Sequence, residues 1–369
     1  MLTEAAVRAA LAEVPYPGLK RDIVALGLVR SIAVRNDRVH VSLRISTARE
    51  DVPNRLREAI GDRLARAGAV RAEIQILTPE PAASTQALPA ADRVRLPGVG
   101  HVIAVGAGKG GVGKSTVAVN LALALQDLGL RVGVLDADIY GPSVPVLMGI
   151  EDGARHVRMT EQHQIIPLQA FGMPVVSFGF FLGAKSPAVW RGPLVGKAVK
   201  QFARGVVWPE LDVLVVDLPP GTGDVPLSLA EAIEVDGALV VTTPQRLSTL
   251  EAGKAIEMFR KLGVPVLGVV ENMSEAICGC GRASHPFGQG GGAALSEKLE
   301  CSLLARVPFE ERTVIGGDAG APAMIDDPDG ASALVFSGLA RTVSDALGLH
   351  AVASPDPVPV DFNVVDWVG

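Results

Sequence analysis

The stretch GAGKGGVGKST, Gly106 to Thr116, puts glycines, two lysines and two hydroxyls side by side. From Gly108 to Ser115 it has the G-x-x-x-x-G-K-[ST] spacing of a phosphate cradle. Gly108, Gly110, Gly111 and Gly113 let backbone N–H groups converge on phosphate oxygens without Cβ clashes, and Val112 and Thr116 complete the loop. Lys114 would bridge the β- and γ-phosphates of a nucleotide, and the Ser115 hydroxyl would bind Mg²⁺. The bland alternative is a ligand-free glycine turn. The context argues against it, because the apolar run HVIAVG precedes the loop and a helical pattern from Lys114 follows it. Lys109 is a second lysine that the spacing alone does not require.

Acids stand where such a site needs them. LDVLVVD ends in Asp217, placed to hold Mg²⁺ through water at a strand's C-terminal edge, and PPGTGD carries Asp224 in a switch-like loop. RVGVLDAD ends in Asp136 and Asp138, which strand alternation would put on one face. One could hold a metal-bound water and the other orient the attacking water. Ribose contacts or helix capping are the alternatives. A thiol pair, Cys278-Gly-Cys280, could bind a metal or cluster, hold zinc, or act as a redox pair. His285 is either an accessory ligand or a solvated loop histidine, and Cys301 reads as a small buried hydrophobe.

The elements that must position these groups fall into two regions. Residues 1–77 read helix, strand, strand, helix, strand: helices over 5–14 and 53–67, strands over 28–34 and 38–45 flanking Asn36–Asp37, and a last strand over 72–77. This small α+β segment has 13 Lys/Arg against 9 Asp/Glu, so the rest of the chain carries −10 of the net −6. A Pro/Ala-rich linker spans 78–97. Over 98–349, near-continuous apolar strands at 101–106, 131–138, 211–217, 237–243 and 264–272 alternate with helices at 114–128, 195–205, 226–232 and 248–262. That is the grammar of a doubly wound α/β fold, a mostly parallel sheet with helices on both faces. The tail, 350–369, is acidic, Pro-punctuated and expected to be irregular.

Composition sets the outer limits. Hydrophobic residues make up 48% of 369 residues, enough for a substantial core, and no apolar run approaches the roughly 18 residues of a membrane span. The N-terminus lacks the pattern of a secretory signal, and three cysteines cannot build a disulfide framework, which suits a reducing cytoplasm. The acidic balance gives no reason to expect nucleic acid or membrane as a partner.

With Lys109 in place, KGGVGKST resembles the deviant phosphate loop of the SIMIBI-class ATPases, which include the Min and Par partition ATPases and nitrogenase iron protein. Within that class LDADIYGPSVPVLMG, WRGPLVGKAVKQF, DLPPGTGDVPLSL, TTPQ and VVENMS resemble the Mrp/ApbC branch, ATPases of iron–sulfur cluster assembly and carriage. The N-terminal region resembles the small metal–sulfur cluster biosynthesis domain often fused to them. The resemblance implies ATP and Mg²⁺ as ligands, with Ser115, Asp136 and Asp217 around the metal. It implies a nucleotide-sandwich homodimer in which Lys109 reaches the partner's phosphates, Lys114 serves its own, and Asp138 positions water. Asn272 would meet the adenine edge, with Pro308 and Phe309 lining the base pocket. Two subunits would bridge one [4Fe–4S] cluster for delivery to apo-proteins, with slow turnover.

The sequence departs from that branch twice. Its usual C-x-x-C is shortened to C-x-C at Cys278 and Cys280, and ISTAREDVPN lacks the reactive cysteine usual in the N-terminal domain. A positioning switch on membrane or DNA, the rival reading, would want a basic amphipathic C-terminus, and this tail is acidic. ATP-coupled electron transfer would want cysteines in the switch regions, and LDADIYGPS and DLPPGTGD have none.

Overall fold

A computed structural model describes residues 2–15, 17, 22–24, 28–35, 38–44, 51–77, 93–181, 200–277, 282–349 and 364–366. The chain divides into two compact units, Met1–Gln86 and Ala87–Gly369.

The first unit follows its expected order. Thr3 caps a helix over Glu4–Leu11 by accepting from Ala6 N, and the strands β1 (Val29–Arg35) and β2 (Arg38–Arg44) pair antiparallel. A second helix, Asp51–Arg66, leads to β3 (Arg71–Leu77), which lies parallel to β2. Pro53 falls within the first turn of that helix, where no N–H is needed, so the helix starts two residues earlier than the proline suggested. Val7, Leu11, Val41, Leu43, Leu56 and Ile60 close the core between helices and sheet.

The second unit holds an eight-stranded sheet built of β4 (Val99–Ala107), β5 (Val132–Asp136), β6 (Leu168–Ala170), β7 (Met173–Ser177), β8 (Leu211–Asp217), β9 (Gly237–Thr242), β10 (Val266–Glu271) and β11 (Leu303–Arg306). Their order across the sheet is β11-β10-β9-β4-β8-β5-β7-β6. All pairs are parallel except the β6 edge. The apolar runs are continuous because both faces are covered. Within β4, Val102 and Ala104 pack into one core, and Ile103 and Val105 into the other. The first core takes Ala252, Ile256 and Phe259 from the Arg246–Lys261 helix. The second takes Val117, Leu121 and Leu125 from the Lys114–Asp127 helix and Phe336 and Leu339 from the Ala331–Leu347 helix.

Two expectations change. The strand read as 131–138 ends at Asp136, because that carboxylate accepts from the N–H of Asp138 and turns the chain out of the sheet. Alternation therefore does not relate Asp136 to Asp138. The tail is not wholly irregular, since a short strand at Val364–Asp366 pairs with Arg158–Thr160. Of the helix expected over 195–205, residues 200–204 are helical and Gly205 bends out of it, while 195–199 lie outside the described residues, as does the linker run 78–92.

Candidate nucleotide site

The loop from Gly108 to Gly113 joins β4 to the Lys114–Asp127 helix, whose N-cap Gly113 sits at φ 78°, a left-handed conformation that glycine takes without strain. Gly108 is required for another reason. A Cβ there would lie 2.0 Å from the Glu251 carbonyl carbon, so the loop and the Arg246–Lys261 helix touch backbone to backbone. The loop borders a cavity of about 380 Å³ whose walls include Lys109, Lys114, Ser115, Thr116, Asp138 and Asp318. Gly110, Gly111, Val112 and Gly113 line it too.

Register brings the acids together. Asp217 and Asp136 are paired positions on neighbouring parallel strands, and Asp136 is paired in turn with Ser177 at the end of the Met173–Ser177 strand. The three side chains thus form a row at the C-terminal edge of the sheet, where ligands of open α/β sheets bind. Lys114 Nζ reaches into this row. It donates to Asp217 Oδ1 at 2.7 Å and to Ser115 Oγ at 3.1 Å, and lies 3.7 Å from Asp138 Oδ2. Ser115 donates to Asp217 Oδ2 at 2.5 Å. Lys114, Asp136, Asp138 and Asp217 are all buried.

Burial sets the protonation chemistry. It raises Asp217 above the ordinary carboxylate range, against the opposing pull of the Lys114 ammonium and its hydrogen bond. It pushes Asp136 to about 7, helped by the charge of Asp217 next door. The oxygens of Asp136 are addressed by three donors: Ser177 Oγ at 2.8 Å, Asp138 N at 3.1 Å and Val144 N at 3.3 Å. Two of these donors are backbone N–H groups of the turn and helix that follow, the contacts of a capping carboxylate. Asp138 Oδ1 accepts from the N–H groups of Tyr140 and Gly141, which fixes its carboxylate at the cavity wall. Asp224 is exposed at the start of the Asp224–Ala232 helix.

Asn272 is buried, and its Nδ2 donates to Val112 O at 2.8 Å, so it props the loop from behind. A Cβ on Gly113 would fall 2.2 Å from that nitrogen. Pro308 and Phe309 run beside the Asn272 strand end, with Ser274 N donating to Val307 O and Phe309 N to Glu275 O. Lys109, half-buried, donates to Gln245 Oε1 at 3.3 Å.

Cys278 and Cys280 lie outside the described residues. What flanks them is a small hairpin, Ala276–Ile277 against Ala283–Ser284. His285 is exposed and donates from Nδ1 to Ser274 O at 3.1 Å, which leaves Nε2 as its lone-pair nitrogen when the ring is neutral. Cys301 is partly buried against the core, and burial pushes its thiol up, away from the reactive thiolate. Among the described residues no helix is long and apolar enough to cross a membrane.

Sequence reasoning missed Ser177, Gln245 and Asp318. Gln245 was visible within TTPQ without a role, whereas Ser177 and Asp318 carry no local signal, because only sheet register and tertiary packing bring them to the loop.

Comparison with known proteins adds to this geometry. Residues 98–344 match the family described as NUBPL iron-transfer P-loop NTPase, and residues 4–76 match a family described as iron-sulfur cluster assembly protein. A protein named iron-sulfur cluster carrier protein from Deinococcus radiodurans is 40% identical over 353 residues, covering 95% of this chain and 98% of its own. One of the same name from Escherichia coli K12 is 39% identical over 362 residues, covering 98% and 96%. Among solved structures, a nucleotide-binding protein from Archaeoglobus fulgidus in complex with ADP shares 36% identity at a TM-score of 0.56, covering 66% of this chain and 94% of its own. The cell-division ATPase MinD of Pyrococcus furiosus shares the fold at 23% identity, with a TM-score of 0.51, 67% of this chain and 99% of its own. A phosphate loop, a lysine–aspartate pair beneath it and matches along nearly the whole chain agree: this protein belongs to the iron-transfer P-loop NTPase family of iron–sulfur cluster carriers.

Proposed function

We propose that this chain is a Mg²⁺-dependent ATPase that closes as a nucleotide-sandwich homodimer and carries a [4Fe–4S] cluster to apo iron–sulfur proteins. The observation that carries the ATPase part is the hydrogen-bonded set of buried Lys114, buried Asp217 and half-buried Ser115 under a glycine loop with room for phosphates. The cluster part is supported by the names of relatives that match nearly the full chain.

The donors fit the metal. Ser115 Oγ and Asp217 Oδ2 are adjacent hard oxygens, the kind Mg²⁺ takes directly or through water. The metal would neutralise charge on the β- and γ-phosphates. In this chain the loop N–H groups would receive the phosphate oxygens, and the Lys114 ammonium would turn from Asp217 to those oxygens. Asp138 would orient a water in line with the γ-phosphorus. The water's oxygen forms the new P–O bond, the bond to the β-phosphate oxygen breaks, and ADP and inorganic phosphate leave. Lys109 of each copy would cross to the other's phosphates. Asn272, Pro308 and Phe309 would hold the base. Cargo would sit on Cys278 and Cys280 of both copies, four thiolates in all, which is the number such a cluster takes. Release of phosphate would loosen the loops at Asp138 and at Asp217–Asp224 and so open the cysteine interface.

Two variants test the nucleotide reading. Lys109→Ala should bind ATP with near wild-type affinity and fail to hydrolyse it, whereas Lys114→Ala should lose affinity as well. Unchanged hydrolysis in Lys109→Ala would sink the trans-lysine role.

A further inference from the structure

Lys109 also has an address within its own chain, the carboxamide of Gln245, with Nζ donating to Oε1 at 3.3 Å. Gln245 is the N-cap residue of the Arg246–Lys261 helix, and the backbone around it is closely packed. Just ahead of it, Thr242 Oγ1 and Ser248 Oγ lie 2.9 Å apart, and Thr243 N donates to Ser248 Oγ at 3.1 Å, all of them buried. On one side the helix meets Gly108 with no space for a Cβ. On the other, a Cβ on Gly291 would lie 2.0 Å from Pro244 O. The backbone that carries the acceptor is therefore fixed relative to the phosphate loop, and the side chains of Lys109 and Gln245 are the parts that can move.

The acceptor is also neutral. Among the described residues no carboxylate forms an ion pair with Lys109, and Glu251, further along the same helix, is paired with Lys254 at 2.6 Å. An ammonium on a carboxamide gains a charge-assisted hydrogen bond without the Coulomb attraction of an ion pair. Such a bond holds the lysine out of its own phosphate site and can still be exchanged for a phosphate oxygen.

We propose that Gln245 is a latch: it parks Lys109 on its own subunit, and exchange of this bond for the partner's phosphate sets how readily two copies close. Gln245 is a positioning residue that acts through Lys109, and the proposal rests on the trans-lysine reading above. Glutamine serves because its grip is intermediate. A carboxylate would hold Lys109 too well, and an apolar side chain of the same length would not hold it at all.

The full chain with Gln245→Glu or Gln245→Met tests this, with Lys109→Ala alongside. Dimer formation would be measured by sedimentation in Mg²⁺ and a non-hydrolysable ATP analogue, and hydrolysis by phosphate release. Gln245→Glu should weaken dimerisation and lower kcat by roughly five- to tenfold, leave the monomer's nucleotide Kd within about twofold, and recover at high salt as the ion pair is screened. Gln245→Met should strengthen dimerisation severalfold. Without nucleotide, Lys109 of Gln245→Met should react faster with an amine-labelling reagent than in wild type, and Lys109 of Gln245→Glu more slowly. Mass spectrometry reads this on the folded monomer, whatever the variants do to assembly. Equal labelling of Lys109 in all three proteins overturns the latch, and so does a Gln245→Glu defect that salt leaves unchanged. If Lys109→Ala dimerises and hydrolyses like wild type, the trans-lysine reading fails instead. If Lys109→Ala is impaired while the Gln245 variants are silent, only the latch fails.

Discussion

Besides its proposed phosphate role Lys114 has a structural one, which can be isolated by leaving nucleotide out. Its ammonium is 2.7 Å from Asp217 and 3.7 Å from Asp138, and all three groups are buried. Lys114→Ala removes the cation and leaves two buried carboxylates facing one another. Breaking a buried pair from one side costs about 3–5 kcal/mol. For a unit of this size that is a fall in melting midpoint of roughly 6–20 °C, at about 2–4 °C per kcal/mol. The protein has one escape, which is to protonate Asp217. Burial already raises that carboxyl in the presence of Lys114, and losing the ammonium raises it further. A carboxyl whose folded pKa is raised contributes stability at low pH and loses it as pH rises through the raised value. The deficit of Lys114→Ala should therefore be largest at pH 8 and shrink towards pH 5. Calorimetry of nucleotide-free protein at pH 5, 6, 7 and 8 measures it, with Lys114→Met as a control that keeps most of the side-chain volume. A deficit that is the same at both ends of the range, or no deficit at all, would refute the reasoning.

Other perturbations follow from the same geometry. Asp136 sits at about 7, so between pH 5 and 7 the folded protein keeps a proton that the unfolded chain has lost. Wild type should lose stability relative to Asp136→Asn over that window, at up to about 1.4 kcal/mol per pH unit, and level off above it; urea titrations at each pH would show a flat difference if the account is wrong. Gly108→Ala should displace the loop or the Arg246–Lys261 helix and lower both the melting midpoint and ATP affinity, because its Cβ meets backbone. Gly110→Ala, with open space at the Cβ, should melt within about 0.5 kcal/mol of wild type, and equal melting of the two variants would contradict the close-approach argument.

What the sequence disclosed, and what it hid, follows from the range of each interaction. The strands of the parallel sheet were legible as continuous Val/Leu/Ile runs because burial on both faces leaves no polar face to write. The phosphate loop was legible because its glycines, Lys114 and Ser115 are local to one strand–helix turn. Asp217 was legible only as an acid at a strand end. That it lies beside Asp136, and Asp136 beside Ser177, is a matter of register between strands distant in sequence. The same is true of Lys109 and Gln245, which are 136 positions apart. Where local reasoning was extended too far it failed, as when alternation was carried past Asp136 into a turn that the carboxylate itself caps.

In the proposed function the chain carries its cluster on Cys278 and Cys280 despite the shortened C-x-C spacing. Anaerobic reconstitution of the full chain with iron and sulfide tests it most directly, followed by iron and sulfide analysis and Mössbauer spectroscopy of wild type, Cys278→Ala and Cys280→Ala. The account predicts about four irons per dimer with a [4Fe–4S] signature in wild type and loss of that signature in each variant. The same cluster at the same occupancy in all three proteins would contradict it.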